Sequence, residues 1–207
     1  WEAVFAKAGF RISAKRYLGI PGGRTTPHGI FVLELEYLDF YDKDGQHLGK
    51  KLKKDVYSQE GNWVKIADVI AISPRGNVVL QRRSEKASTS QGRYSITGGH
   101  VDAGELPLVA AIRELKEELG IAVESARLIP VGPERMFRMI GLPDMAADGL
   151  TADGIYRYQT KGRYVNRFMY VYVVFVTDEE IEAARRYIDS RFDPTRSKVE
   201  QEVSEVA

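Results

Sequence analysis

The chain has no cysteine in its 207 residues. That absence removes disulfides, thiolate metal sites and a cysteine nucleophile together. Histidine is scarce, with 3 in all. His100 stands alone in a turn and reads as structural rather than ligating, and His28 and His47 have no partner in the sequence. Charge of one sign is missing too: 30 basic residues meet 29 acidic ones for a net charge of +1. Nothing global therefore draws the chain to nucleic acid or to an anionic membrane. No apolar run reaches the length of a membrane span, and no signal peptide is visible. The expectation is a cytoplasmic protein with a small-molecule partner. Its first residue is Trp1 rather than methionine, which leaves room for a trimmed leader. The length is ample for one core and short for two.

What is present centres on Gly98 to Ile121, GGHVDAGELPLVAAIRELKEELGI. A glycine turn, an acidic loop, an apolar-striped helix and a glycine stop follow one another. Pro107 suits a first helical turn and Gly120 a C-terminal stop. Leu108, Ile112, Leu115 and Leu119, flanked by Ala111, form the stripe that would pack on a sheet. Glu114, Glu117 and Glu118 stand at i, i+3 and i+4, one turn apart. Helical projection sets them roughly 80° to 180° from the stripe, on an acidic edge facing a cleft. Three like charges so close repel, and a hard divalent cation with oxygen ligands, Mg²⁺ first, is their natural partner. Arg113, four residues before Glu117, is close enough to hold that carboxylate.

This segment resembles the Nudix box, G-x5-E-x7-R-E-U-x-E-E-x-G-U with U a bulky aliphatic residue. Gly99, Glu105, Arg113, Glu114, Leu115, Glu117, Glu118, Gly120 and Ile121 fill every fixed position. A random match at a given start is on the order of 10⁻¹⁰ at average residue frequencies. A merely solvated helix face explains a Glu-Lys-Glu-Glu run but not the glycines, loop glutamate and arginine together.

The rest of the chain fits around that segment. Trp1 to Ala8 is apolar-rich, a helical turn or two. Residues 10–29 hold Pro21, Gly22, Gly23 and Pro27 and read as irregular. Ile30 to Tyr41 reads as one strand, Asp42 to Gly45 as a turn, and Leu48 to Val56 as a lysine-rich strand or loop. Its Lys50, Lys51, Lys53 and Lys54 are a solvated edge before they are a phosphate site. Trp63 to Ile72 reads as a buried strand, followed by a Pro74–Asn77 turn and a strand from Val78 to Arg83. Arg82 and Arg83 point toward a serine-rich loop, and their guanidinium forks match phosphate oxygens.

Beyond the box helix, Ile121 to Val131 reads as a strand. Residues 141–154 have too few large apolar groups for a core element and are a candidate lid or selectivity loop. Ile155 to Gln159 and Tyr164 to Val176 read as two strands. Thr177 with Glu180 resembles a capping box opening a helix to about Ser190. Lys198 to Ala207 alternates loosely like a strand. Strands and helices interleave without a strict βαβ rhythm, which favours a mixed sheet sandwiched by helices.

Residues 35–207 carry the Nudix resemblance, with 1–34 as an N-terminal extension. The fold it implies is α/β in the α+β sense: an α/β/α sandwich with a mixed sheet and the box helix packed on it. The ending QEVSEVA looks like the strand that precedes a final Nudix helix, which this sequence does not reach. Two stretches, EYLDFYDKDGQHLGKKLKKDVYSQEGNWVKIADVIAI and VVLQRRSEKASTSQGRYSITGGHV, resemble the branch related to isopentenyl diphosphate isomerase. That activity would need a cysteine, and residues 94–100 supply none.

The resemblance implies a Mg²⁺- or Mn²⁺-dependent pyrophosphohydrolase acting on a nucleoside diphosphate derivative through metal-activated water. It also implies the roles. Glu114 and Glu118 are principal ligands, Glu117 a further or water-mediated one, and the Gly98 carbonyl a backbone ligand. Arg113 orients Glu117, and Glu105 braces the loop or the arginine. Gly99 and Gly120 are structural members of the box. The general base is a box glutamate, Glu200 or Glu202. Arg82 and Arg83 are candidates for substrate binding. A homodimer is the expected assembly. A nucleotide-sensing Nudix-fold module without turnover is the alternative.

Overall fold

A computed structural model of the protein describes residues 10–18, 28–59, 61–83, 92–132, 135–139, 165–191 and 203–206. Trp1 to Ala8, the loop 141–154, Ile155 to Gln159, Glu200 and Glu202 lie outside the described residues.

Strands β1 (Phe10–Leu18) and β2 (His28–Leu35) pair antiparallel, from Phe10↔Leu35 to Leu18↔His28. The reading of residues 10–29 as irregular is thus corrected. Its turn formers all fall between Leu18 and His28, and a partner strand supplies hydrogen bonds that local composition does not reveal. The single strand expected over Ile30 to Tyr41 is also corrected. It divides at Glu36, whose carbonyl accepts the Lys53 N–H at 2.9 Å. β3 (Tyr37–Tyr41) then pairs with β4 (His47–Leu52). Between them Asp42 Oδ1 accepts the N–H groups of Asp44 and Gln46, an aspartate-centred turn. A short helix α1 (Lys53–Val56) leads to β5 (Trp63–Ile72), the strand on which the sheet is built.

After β5 come β6 (Val78–Val79), β7 (Gln81–Arg83), β8 (Tyr94–Ser95), β9 (Thr97–His100) and helix α2 (Pro107–Leu119). Ile121 to Val131 does not become the expected full strand. It holds a 3-10 turn at Ser125–Arg127, and β10 (Ile129–Pro130) is its only strand. β11 (Arg135–Met139), β12 (Val165–Phe175), helix α3 (Asp178–Arg191) and β13 (Val203–Val206) complete the order. The capping box at Thr177 forms as read. Thr177 Oγ1 accepts from Glu180 N–H at 3.1 Å, and Glu180 Oε2 accepts from Thr177 N–H at 2.9 Å.

The large sheet runs β10-β12-β5-β3-β4, with β11 on β12 and with β6 and β9 on β5. β12 and β5 are parallel from Asn166↔Trp63 to Phe175↔Ile72, and the other pairings are antiparallel, so the sheet is mixed. A smaller sheet runs β13-β7-β8. Side chains alternate across β5. Ala67, Val69 and Ala71 join Ala111, Leu115 and Leu119 of α2 and Ala184 and Ile188 of α3 in one core. Val64 and Ile66 meet Leu38, Val56 and Tyr57 on the opposite face. Helices therefore lie on both faces of a mixed sheet, as the sequence led us to expect.

Candidate active site

Two elements build the site. β9 brings Gly98 and Gly99 alongside Asp68 and Ala67 of β5. Helix α2 lies over them, opened by Pro107 and stopped by Gly120, which is left-handed at φ 70°. A Cβ on Gly120 would also come within 2.5 Å of the Tyr187 ring. Both reasons keep this position glycine.

The glycines of β9 are required by close approach. A Cβ on Gly99 would lie 2.2 Å from Glu114 Oε1, and one on Gly98 would lie 2.3 Å from Asp68 Oδ1. The helix thus lowers a carboxylate onto bare backbone. Glu118 does the same one turn later: its Oε2 accepts the Gly98 N–H at 3.1 Å and Gln81 Nε2 at 2.6 Å.

The three glutamates are not equivalent, which departs from the single acidic edge expected. Glu118 is 7% exposed and sits on the sheet side of the helix, beside Leu115 and Leu119. The Glu117 side chain is 52% exposed. A glutamine and a backbone N–H give its buried carboxyl group hydrogen-bond partners, which is why Glu118 can lie under the helix.

Arg113 is the hub. Its Nε and Nη2 reach Glu105 Oε1 and Oε2, each at 3.0 Å, in a bidentate fork. Nη1 donates to Glu114 Oε1 at 2.7 Å and to Glu117 Oε2 at 3.3 Å, while Nη2 donates to the His100 carbonyl at 2.8 Å. Burial alone would lower its pKa. The Glu105 and Glu114 carboxylates outweigh that and hold it above the ordinary arginine value. Glu105 Oε2 also accepts the Asp102 N–H at 3.0 Å, so one glutamate braces both loop and arginine.

Around this core lie groups that no motif marked. Gln81 could be suspected only as a polar residue ending an apolar run. Asp68 is pushed up to about 6 by burial, against the pull of the Arg167 charge. His100 meets the Tyr57 hydroxyl through Nε2, and burial, with the nearby charges of Lys53, Arg167 and Arg113, holds it well below the usual imidazole range. Arg82 and Arg83 are half-buried on β7, paired with β8 and β13. Their neighbour Gln81 touches a box glutamate, Glu118.

Among the described residues, no three acidic or histidine side chains close on one point. That still suits a hard cation. Mg²⁺ is usually held by one or two carboxylates together with substrate phosphates rather than by an all-protein cage. Glu114 and Glu118 supply such a pair over Gly98 and Gly99.

Residues 63–196 match the NUDIX domain. The chain belongs to the Nudix family. An uncharacterized Nudix hydrolase of Clostridium acetobutylicum is 30% identical over 104 residues, covering 48% of this chain and 50% of that protein. The isopentenyl-diphosphate Delta-isomerase of Halorhodospira halophila is 34% identical over 98 residues, covering 47% of this chain and 54% of the isomerase. The chain therefore spans about half the length of these Nudix relatives. A crystal structure of a Deinococcus radiodurans protein is 22% identical, with a TM-score of 0.44, and covers 68% of this chain and 72% of that one. Among the described residues no helix is long and apolar enough to cross a membrane.

Proposed function

We propose that this Nudix chain is a Mg²⁺- or Mn²⁺-dependent pyrophosphohydrolase that cleaves the diphosphate linkage of a nucleoside diphosphate derivative. The observation that carries this reading is the approach of Glu114 and Glu118 to the adjacent glycines 99 and 98, with Arg113 locking the loop that leads to them. Glu114 and Glu118, with Glu117 and the Gly98 carbonyl, would hold the cation. When bound, that ion supplies charge neutralisation for a diphosphate and acidifies a water.

The chain's own residues do the rest. Arg113 fixes the Glu114 rotamer and ties it to Glu105, so the donor oxygens are ordered before a ligand arrives. Gln81 and the Gly98 N–H keep Glu118 aimed at the glycine turn. Proton removal falls to a glutamate, either in the box or at Glu200 or Glu202. Arg82 and Arg83 offer phosphate contacts. Although isomerases are among the relatives, this chain has no thiol for that chemistry.

The test is product release from a panel of nucleoside diphosphate derivatives with Mg²⁺, Mn²⁺ or EDTA. Metal-dependent release of a nucleoside monophosphate or phosphorylated product supports the reading. No release from any member, with cation binding intact, contradicts it.

A further inference from the structure

The site is rich in anions, and its most evident cation is already committed. Arg113 donates to Glu105, Glu114, Glu117 and the His100 carbonyl. Lys53 pairs with Glu36 at 3.2 Å. A phosphate entering beside Glu114 and Glu118 needs a positive group that carboxylates have not claimed.

Lys65 of β5 meets that requirement. The register sets Ala67 opposite Gly99, and Lys65 is the next residue on the same face of β5. Same-face neighbours are roughly 7 Å apart along a strand. Lys65 thus shares the sheet face on which Glu114 meets Gly99. Its carbonyl accepts the Val101 N–H at 3.0 Å, which joins it to the end of β9 where the box loop begins.

The ammonium is held in place without an anion. Nζ lies 4.4 Å from the Tyr41 ring centroid and 5.7 Å from that of Tyr170. Tyr41 is fixed edge-on to Phe168, which stacks on Trp63. Among the described residues Lys65 forms no ion pair and its side chain makes no hydrogen bond. Two aromatic faces hold the charge but do not use its N–H donors. Lysine in such a setting is a point charge with all three donors open to phosphate oxygens.

We infer that Lys65, positioned by Tyr41 and Tyr170, is a recognition residue for the diphosphate of the ligand. The inference rests on the reading that Glu114 and Glu118 mark the diphosphate site. It goes further by naming the cation that meets the anionic group from the sheet side.

Calorimetric titration of the full chain with methylene diphosphonate, a diphosphate that cannot be hydrolysed, in the presence of Mg²⁺ tests this. The wild type binds. Lys65→Met binds about tenfold or more weakly, as expected for loss of one charge-assisted contact, and loses part of the salt dependence. Lys65→Arg restores affinity to within about threefold of wild type. Binding by Lys65→Met within about twofold of wild type overturns the inference and leaves Lys65 as a lid over aromatic rings. Failure of the wild type to bind also overturns it.

A second measurement does not depend on a variant folding. Reductive methylation of the wild type, read residue by residue in a mass spectrometer, slows at Lys65 when the diphosphonate is present. An unchanged rate there overturns the inference. Turnover with unaltered Lys65→Met binding rejects this inference alone. Lys65-dependent binding without turnover of any panel member rejects the hydrolase reading alone.

Discussion

Gln81 Nε2 donates to Glu118 Oε2 at 2.6 Å, and Glu118 is a carboxylate almost sealed from water. The two residues come from β7 and α2, 37 positions apart. This bond makes a buried carboxyl group tolerable beneath the box helix and keeps it beside Gly98. Replacing Gln81 by leucine removes a donor while the carboxylate stays buried. We expect Gln81→Leu to lower stability by about 1–3 kcal/mol, the usual cost of an unsatisfied buried group. Urea unfolding of the variant measures it. An unchanged midpoint would mean that Glu118 is satisfied without Gln81.

Gly99 and Gly104 separate crowding from backbone conformation. At Gly99 an added Cβ would strike the Glu114 carboxylate, whereas at Gly104, with φ 79°, it would meet open space. Gly104→Ala should cost about 1–2 kcal/mol from the left-handed backbone alone, with turnover retained. Gly99→Ala should displace Glu114 and cut turnover by about a hundredfold, the scale of losing an electrostatic group at a reacting centre. Comparing thermal melting with turnover for the pair tests the distinction. Equal effects on turnover would remove the argument for close approach.

Acid stability should show the Arg127–Glu180 pair. Arg127 Nη1 and Nη2 reach Glu180 Oε1 and Oε2 at 2.6 and 2.9 Å, and this arginine holds the glutamate below its ordinary value. A carboxyl depressed in the folded state contributes stability above its unfolded pKa, near 4.5, and loses it as pH falls through the folded value. Both side chains are partly solvated, so the contribution is at most about 1 kcal/mol. Urea midpoints between pH 7 and pH 3 should fall less steeply for Arg127→Met than for wild type. Parallel curves would contradict the assignment.

Thr177→Ala should cost about 1 kcal/mol, because it removes the hydroxyl that accepts the Glu180 N–H at the start of α3. A serine at the same position should recover most of that loss. Thermal melting of the two variants is the check.

The box was legible because its information is local. Pro107, Gly120 and the Thr177–Glu180 pair announce helix ends within a few residues, and Glu105 reaches Arg113 across one loop. What the sequence hid depends on register between distant strands. β1 is held by a partner beginning at His28, and the break at Glu36 is set by Lys53. Gln81 acquires its role only when β7 is placed under α2. Lys65 acquires its surroundings only when β12 lies parallel to β5 and β3 brings Tyr41 across. The acidic edge was misjudged for a related reason. Projection gives angles around a helix, but burial of Glu118 depends on finding donors on the sheet below, at Gly98 and Gln81.

The most direct test of the central claim is turnover of the Glu118→Gln variant on whichever nucleoside diphosphate derivative the wild type cleaves. The amide oxygen of glutamine can accept from Gly98 and Gln81, so the fold should persist, as circular dichroism and melting would show. Loss of carboxylate charge at the cation site should reduce turnover by at least about a hundredfold. A folded variant with wild-type turnover would contradict the account, because the buried box glutamate would then be structural only.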